Sequence, residues 1–373
     1  MNLKRQFFRC VENLRGWKTR QRIVVFESDD WGAIRMPTKD VYNLCLKHGY
    51  PVDKNPFERY DSLASDFDLN ILFNVLQEFK DSVGNHPVIT ANVCVANPDF
   101  AKIEANDFHS YFFEPITDTF KRYPCHQRAW DLWGQGRALK VFFPQFHARE
   151  HINVPLFMRR LQEGNEDIKF GFSNRIAGII DRNGTNPQNP YVQASYFRTL
   201  EEKAIVQNSF VEGLKIFEQL FGFSSQSFIP TNYIWSSDFN KAMKEGGVQF
   251  IQGRRRMLEP DLKGGKRINI TYSGQRNAMD QINLVRNCQF EPALYENSDE
   301  VGNCLKEMSI AFRFNNPAIV STHRLNFVGF IEEKNREKNI ALFRRLLAEI
   351  LKRWPDVVFM NSAGLGQLME GNI

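Results

Sequence analysis

The sequence has little that would build a disulfide-held, membrane-spanning or nucleotide-binding protein. Its six cysteines (Cys10, Cys45, Cys94, Cys125, Cys288, Cys304) show no CxxC or other metal-like spacing. That excludes a cysteine–metal knuckle and points to reduced thiols in a cytoplasmic protein. Residues 1–22 are basic but hold no apolar core of the kind an export signal needs. No stretch reaches the roughly 20 apolar residues of a membrane span. Neither GxGxxG nor GxxxxGK[ST] follows any predicted strand, which argues against dinucleotide and P-loop chemistry. Charge of one sign is also scarce: 48 basic residues face 43 acidic ones, for a net +5. So mild an excess does not make the concentrated basic face that nucleic acid requires, although it is compatible with an anionic substrate. Histidine is rare, at seven residues.

What the sequence does have is phenylalanine, 33 residues of it, enough for a large aromatic core. Short apolar runs alternate with helical patterns along the whole length. Strands are predicted at 23–26, 87–96, 139–146, 168–172, 227–230, 248–252, 318–322 and 357–359, and helices at 39–48, 67–79, 152–161, 201–220, 238–244, 301–313 and 333–353. Alternation without an internal repeat or a low-complexity linker predicts one domain over 1–373: a distorted (β/α) barrel of about seven parallel strands with loop insertions. A helix within residues 1–20, apolar at Leu3, Phe7, Phe8, Val11 and Leu14, should cover the barrel's bottom. Insertions are expected at 100–138, dense in aromatics, and at 257–296, a Gly- and polar-rich hairpin excursion. Residues 51–65 and 181–190 read as loops.

The first strand, within residues 22–37 (RIVVFESDDWGAIRMP), runs straight into Asp29 and Asp30. Adjacent carboxylates at the end of a buried strand repel each other and lose hydration, which a metal ion on one of them would offset. The plain alternative is a pair of solvated turn residues. His147 and His151 follow the third strand, four residues apart, a spacing that puts both rings on one face of a helical turn. His323 follows the strand at 318–322. Two imidazoles and a carboxylate make a donor set for a divalent metal, zinc first, with a position open to water. Non-haem iron uses the same set. Glycoside hydrolysis needs two carboxylates about 5–9 Å apart across a sugar, which sequence neighbours fit poorly.

Ser28-Asp29-Asp30-Trp31-Gly32 resembles the TFDDG motif of the polysaccharide deacetylase (NodB-homology) superfamily, and His147-Ala148-Arg149-Glu150-His151 resembles its HSxxH motif. Phe228–Tyr233 and Ser321-Thr322-His323 stand where its RxPY and LxH motifs are expected, in the same order, across roughly residues 20–365. The resemblance implies a metal-dependent carbohydrate deacetylase with Asp29 as base, His323 as acid, and Asp30, His147 and His151 as metal ligands. Trp31, Asn232, Tyr233, Trp235 and Arg324 become the candidates for contact with a carbohydrate substrate. Phe228 replaces the arginine that tunes the family's catalytic aspartate, and Ser321 replaces the leucine of its LxH pocket. Arg35, Arg254, Arg255, Arg256 and Arg324 are the candidate replacement cations. A barrel that keeps the metal and binds carbohydrate without cleaving it is the alternative from another functional class.

Overall fold

Strand β1 (Ile23–Trp31) is buried along its whole length, as its β-branched run and lack of exposed positions require of a central strand. In a computed structural model the protein is described over residues 3–183 and 189–371, with the backbone alone for residues 3–5. The other strands of the main sheet are β2 (Ile89–Cys94), β3 (Phe142–Ala148), β4 (Ser227–Phe228), β5 (Phe250–Arg254), β6 (Ile282–Arg286), β7 (Cys288–Gln289), β8 (Ala318–His323) and β9 (Val358–Phe359). Hydrogen bonding runs in the order β6-β5-β4-β3-β2-β1-β8-β7, every pairing parallel, with β9 on the free end of β1.

The two edges of that order are successive lengths of one stretch of chain, parted only by Asn287. β6 bonds to β5 and β7 bonds to β8, so this stretch closes the sheet on itself. Asn287 supports the change of partner. Its Oδ1 accepts from the Ile319 N–H and its Nδ2 donates to the carbonyl of Pro317. The result is a nearly closed, distorted (β/α) barrel with helices outside.

Inside the barrel the strands present polar side chains bonded to one another. Asn92 and Gln252 exchange bonds of 2.9 and 3.0 Å, Gln252 donates to Ser227, and Ser227 donates to Gln145. Each group finds a partner, so this interior layer escapes the penalty of unsatisfied burial. On the same strand faces Ile23, Val25, Phe250, Ile282, Leu284 and Ile319 form a smaller apolar cluster with Leu365, and the largest apolar core lies between sheet and helices. There Trp31, Phe73, Trp133, Phe142, Phe146 and Phe217 pack with the long helix Leu200–Phe221, which ends on Gly222 in the left-handed conformation.

Several expectations need correction. Residues 168–172 are not a strand: they lie in the helix Glu166–Ser173, whose N-cap Asn165 accepts from the Ile168 N–H and whose first turn carries Glu166 and Asp167. The supposed excursion 257–296 contains β6 and β7; the hairpin Arg256–Pro260 and Lys266–Ile270 forms a two-stranded sheet of its own outside the barrel sheet. The helix Pro56–Tyr60 interrupts the loop expected at 51–65. The N-terminal helix, Leu3–Leu14, packs on Glu300–Arg313, with Arg9 donating to Glu307, while Phe7, Phe8 and Leu14 stay exposed. The side chain of Leu3 and residues 184–188 of the loop expected at 181–190 lie outside the described residues.

Candidate metal centre and its flanking pairs

Asp29 and Asp30 occupy the C-terminal end of β1, where regular pleating would send their side chains to opposite faces. A bulge prevents this. Ser28 pairs with Ala91 but Trp31 pairs with Val93, so three steps of β1 face two of β2. Asp30 takes φ 74° within it, the left-handed region, uncommon for residues other than glycine and tolerated best by Asn and Asp. Gly32 follows at φ +84°, and a Cβ there would lie 2.4 Å from the Cys94 carbonyl oxygen, so only glycine fits. β3 has a matching irregularity. Val93 pairs with Phe146 and Cys94 with Ala148, which leaves His147 as the extra residue. Two of the candidate ligands thus stand on bulges, devices that re-aim side chains beside active sites.

The three candidate ligands are buried together, with one donor atom from each within 4.8 Å of the others. Asp30 Oδ1 is 3.1 Å from His151 Nε2 and 3.5 Å from His147 Nε2. The histidines do not share a helical turn as the spacing suggested. His147 is the last residue but one of β3, His151 lies in the loop before the helix Val154–Gln162, and their rings are 5.0 Å apart.

The donor chemistry fits a cation. His147 Nδ1 lies 2.7 Å from the Ile229 carbonyl oxygen, which assigns its proton to that bond and leaves the Nε2 lone pair free. That Nε2 is buried and has no hydrogen-bond partner among the described residues. Burial, then the neighbouring Arg35, lowers the His151 pKa to about 4, so the ring is neutral as a ligand must be. Burial pushes the Asp30 carboxyl up, but Arg35 and His151 more than reverse this and hold it well below the usual carboxylate range.

Beside this trio sit two charged pairs. Asp29 receives two parallel bonds from Arg286, Nη1 to Oδ2 at 2.7 Å and Nη2 to Oδ1 at 2.6 Å, and a third from Asn92 at 2.8 Å. The same guanidinium donates through Nε to Glu27 at 2.6 Å, two residues back on β1 and therefore on the same face. Burial raises the Asp29 pKa, and Arg286 overcomes that to leave it below its ordinary value. Arg286 Nη1 also reaches the Tyr233 hydroxyl at 3.1 Å.

His323 pairs in register with Asp29 on the neighbouring strand. The direct pairing of β8 with β1 sets the two side chains on adjacent strands. Its Nε2 is 3.7 Å from Asp29 Oδ2 and its Nδ1 is 2.6 Å from Glu291 Oε1. Burial would lower its pKa, but Glu291 first and Asp29 next raise it to about 10. With 19% of its side chain exposed, His323 lines a cavity of about 840 Å³ shared with Asp29, Asp30, His147, His151, Asn232 and Tyr233.

Polysaccharide deacetylases are among the solved structures similar to this chain. A putative polysaccharide deacetylase from Mycobacterium smegmatis shares 10% identity over 96% of this chain and 93% of its own, with a TM-score of 0.42. The Puue allantoinase shares 11% over 95% and 92%, with a TM-score of 0.49. A 4-alpha-glucanotransferase from Thermococcus litoralis shares 9% over 92% of this chain, at a TM-score of 0.45, and the chain spans 40% of that protein's length. No protein-family model and no curated protein matches the chain. At these identities none of the three speaks for the chemistry of this site.

Three candidates for substrate contact lie elsewhere. Trp31 is buried, donates to Ser28 Oγ at 2.9 Å and packs edge-on against Phe142 and Trp133. Trp235 is buried against Phe210, Phe228 and Phe239, its Nε1 on Asn240. Arg324 is fully buried and donates to Asp61 and to the Ala33 carbonyl. An indole beside a sheet serves the core unless a loop lifts it out, and neither loop does.

Nor does any proposed cation hold Asp29. Arg35 pairs with Asp30, Arg254 lies over the Tyr233 ring and Arg255 over that of Tyr272. Arg256 makes no ion pair with Asp29 among the described residues. The arginine is Arg286, missed because its strand was assigned to an excursion. The alternation of Ile282, Leu284 and Arg286 in INLVR was the available signal.

Proposed function

We propose that the protein is a metal-dependent hydrolase of the polysaccharide deacetylase kind, removing acetyl groups from an N-acetylated sugar or polysaccharide. One observation carries this reading: a buried carboxylate–histidine–histidine trio with an aspartate held by Arg286 and a histidine held by Glu291 on the same rim, all facing one cavity. Asp30, His147 and His151 would hold the ion, for which zinc best suits the donor set. Such an ion polarises the acyl carbonyl and lowers the pKa of water to about 7.

The remaining steps belong to the chain. Asp29, kept ionised and oriented by Arg286 and Asn92, takes the proton of the attacking water. A carboxylate of lowered pKa is a weak base, which would suit it to water of lowered pKa rather than to bulk water. His323 holds a proton throughout the neutral range and delivers it from Nε2 to the departing nitrogen, while Glu291 on Nδ1 balances the imidazolium charge. Tyr233, fixed by Arg286, lines the substrate side. Asp29 and Asp30 are each committed to fixed partners, which favours this division of roles over a carboxylate pair acting on a glycosidic bond.

Acetate release from tetra-N-acetylchitotetraose and an O-acetylated glycan tests the proposal. The zinc-loaded protein should release acetate, lose the activity to a chelator and regain it with added zinc. Metal-loaded protein that releases none from either substrate contradicts it.

A further inference from the structure

The cavity's cations are unevenly balanced. Arg35 pairs with Asp30, and Arg286 pairs with Glu27 and Asp29. Two others have no carboxylate partner among the described residues: Arg254 and Lys266, which line the cavity from the stretch that carries the outer hairpin. Arg254 spends its Nε on the Arg256 carbonyl, and its guanidinium lies 4.7 Å from the centroid of the Tyr233 ring. That stacking fixes the plane of the fork while its two Nη atoms make no hydrogen bond among the described residues. It also sets Arg254 at the reaction end of the cleft, since Tyr233 is bonded to Arg286. Lys266 Nζ is steadied by Gln193 Oε1 at 2.6 Å and lies over the Tyr196 ring. It stands opposite Pro260 in the hairpin register. Pro260 is six residue steps from Arg254, up to about 20 Å of extended chain, a span that several sugar units fill and one does not. Glu58, which also lines the cavity, accepts from the Ile180 N–H, and burial pushes its pKa up to about 7, so it carries only part of a charge near neutrality. A cleft with steadied, uncompensated cations focuses anions into itself.

We infer that the cleft takes an extended acidic glycan, with one carboxylate or phosphate group on the Arg254 fork beside the reacting unit and a second on Lys266 toward the far end. The sugar in this inference rests on the deacetylase reading; the charge rests on the cleft itself.

Zinc-loaded wild-type protein is titrated by calorimetry, with acetate assayed in the same cell, against three tetrasaccharide probes. They are a hyaluronan tetrasaccharide, which carries carboxylates; an oligomer of N-acetylglucosamine 1-phosphate units; and neutral tetra-N-acetylchitotetraose. At about 0.01 M salt, where charges act over roughly 30 Å, at least one acidic probe should bind about tenfold or more tighter than the neutral one. Which of the two does so names the anion. The preference should vanish near 1 M salt, where the range is roughly 3 Å. Arg254→Gln and Lys266→Gln should each weaken acidic binding about fivefold, as expected for an exposed charge pair, and leave neutral binding unchanged. Equal affinity for acidic and neutral probes, or a preference that survives in the double variant, overturns the inference. Tight, charge-dependent binding without acetate from any probe upholds it and removes the deacetylase reading instead.

Discussion

Replacing Glu291 with glutamine isolates the feature that makes His323 an acid. In the wild type the carboxylate 2.6 Å from Nδ1 is the main cause raising His323 to a pKa of about 10 against burial. Glutamine keeps an acceptor oxygen for the Nδ1–H, so the ring holds its orientation and only the charge is lost. Without that charge the pKa should fall to the ordinary histidine value of about 6.5 or below. At pH 8 the wild-type ring is about 99% protonated, whereas a ring of pKa 6.5 is about 3% protonated. Glu291→Gln should therefore lose about 30-fold in kcat/KM at pH 8 and less than about twofold at pH 6. The sign extends to stability. A histidine whose pKa is raised on folding stabilises the fold fully below its unfolded value, about 6.5, and loses that contribution as pH climbs through about 10. Wild type should thus lose stability across that alkaline window, and the variant should lose less. A pH series of acetate release, with the His323 ring titrated by NMR, reads both effects. An alkaline limb at the same pH in variant and wild type would refute the assignment of His323 as the acid held protonated by Glu291.

Three further outcomes follow from the same geometry. Arg286→Met leaves Glu27 and Asp29 buried without their cation and should cost about 3–5 kcal/mol in denaturant unfolding; in whatever folds, the acidic limb of the rate profile should move upward as Asp29 regains a higher pKa. Gly32→Ala forces a side chain into a left-handed residue and against the Cys94 carbonyl, so thermal unfolding should show a loss of at least about 1–2 kcal/mol. Trp31→Ala should cost about 3–5 kcal/mol with KM unchanged, because the indole faces the core; a raised KM at unchanged stability would return Trp31 to the substrate.

The barrel was legible because its strands are short apolar runs between helical patterns, and because Asp29, Asp30, His147 and His323 all fall at strand ends. Three things were not legible. The stretch 282–289 is a barrel strand whose partner changes at Asn287 and whose last β6 residue is charged, so no uninterrupted apolar run marks it. Sequence spacing could not show that bulges, not a helical turn, bring Asp30 and His147 together, since a bulge is a property of pairing with the neighbouring strand. Residues 168–172 alternate apolar Ile168, Phe170 and Phe172 with Lys169 and Gly171 as a strand would, yet the Asn165 cap and two early acids make them helical.

The central claim is that Asp30, His147 and His151 hold one divalent ion. Elemental analysis after loading and extensive dialysis tests it most directly, on wild type and on the variants His147→Ala and His151→Ala, each checked for folding. The account predicts one ion per wild-type chain and none in either variant. Wild-type protein that retains no metal, or variants that retain a full equivalent, would contradict it.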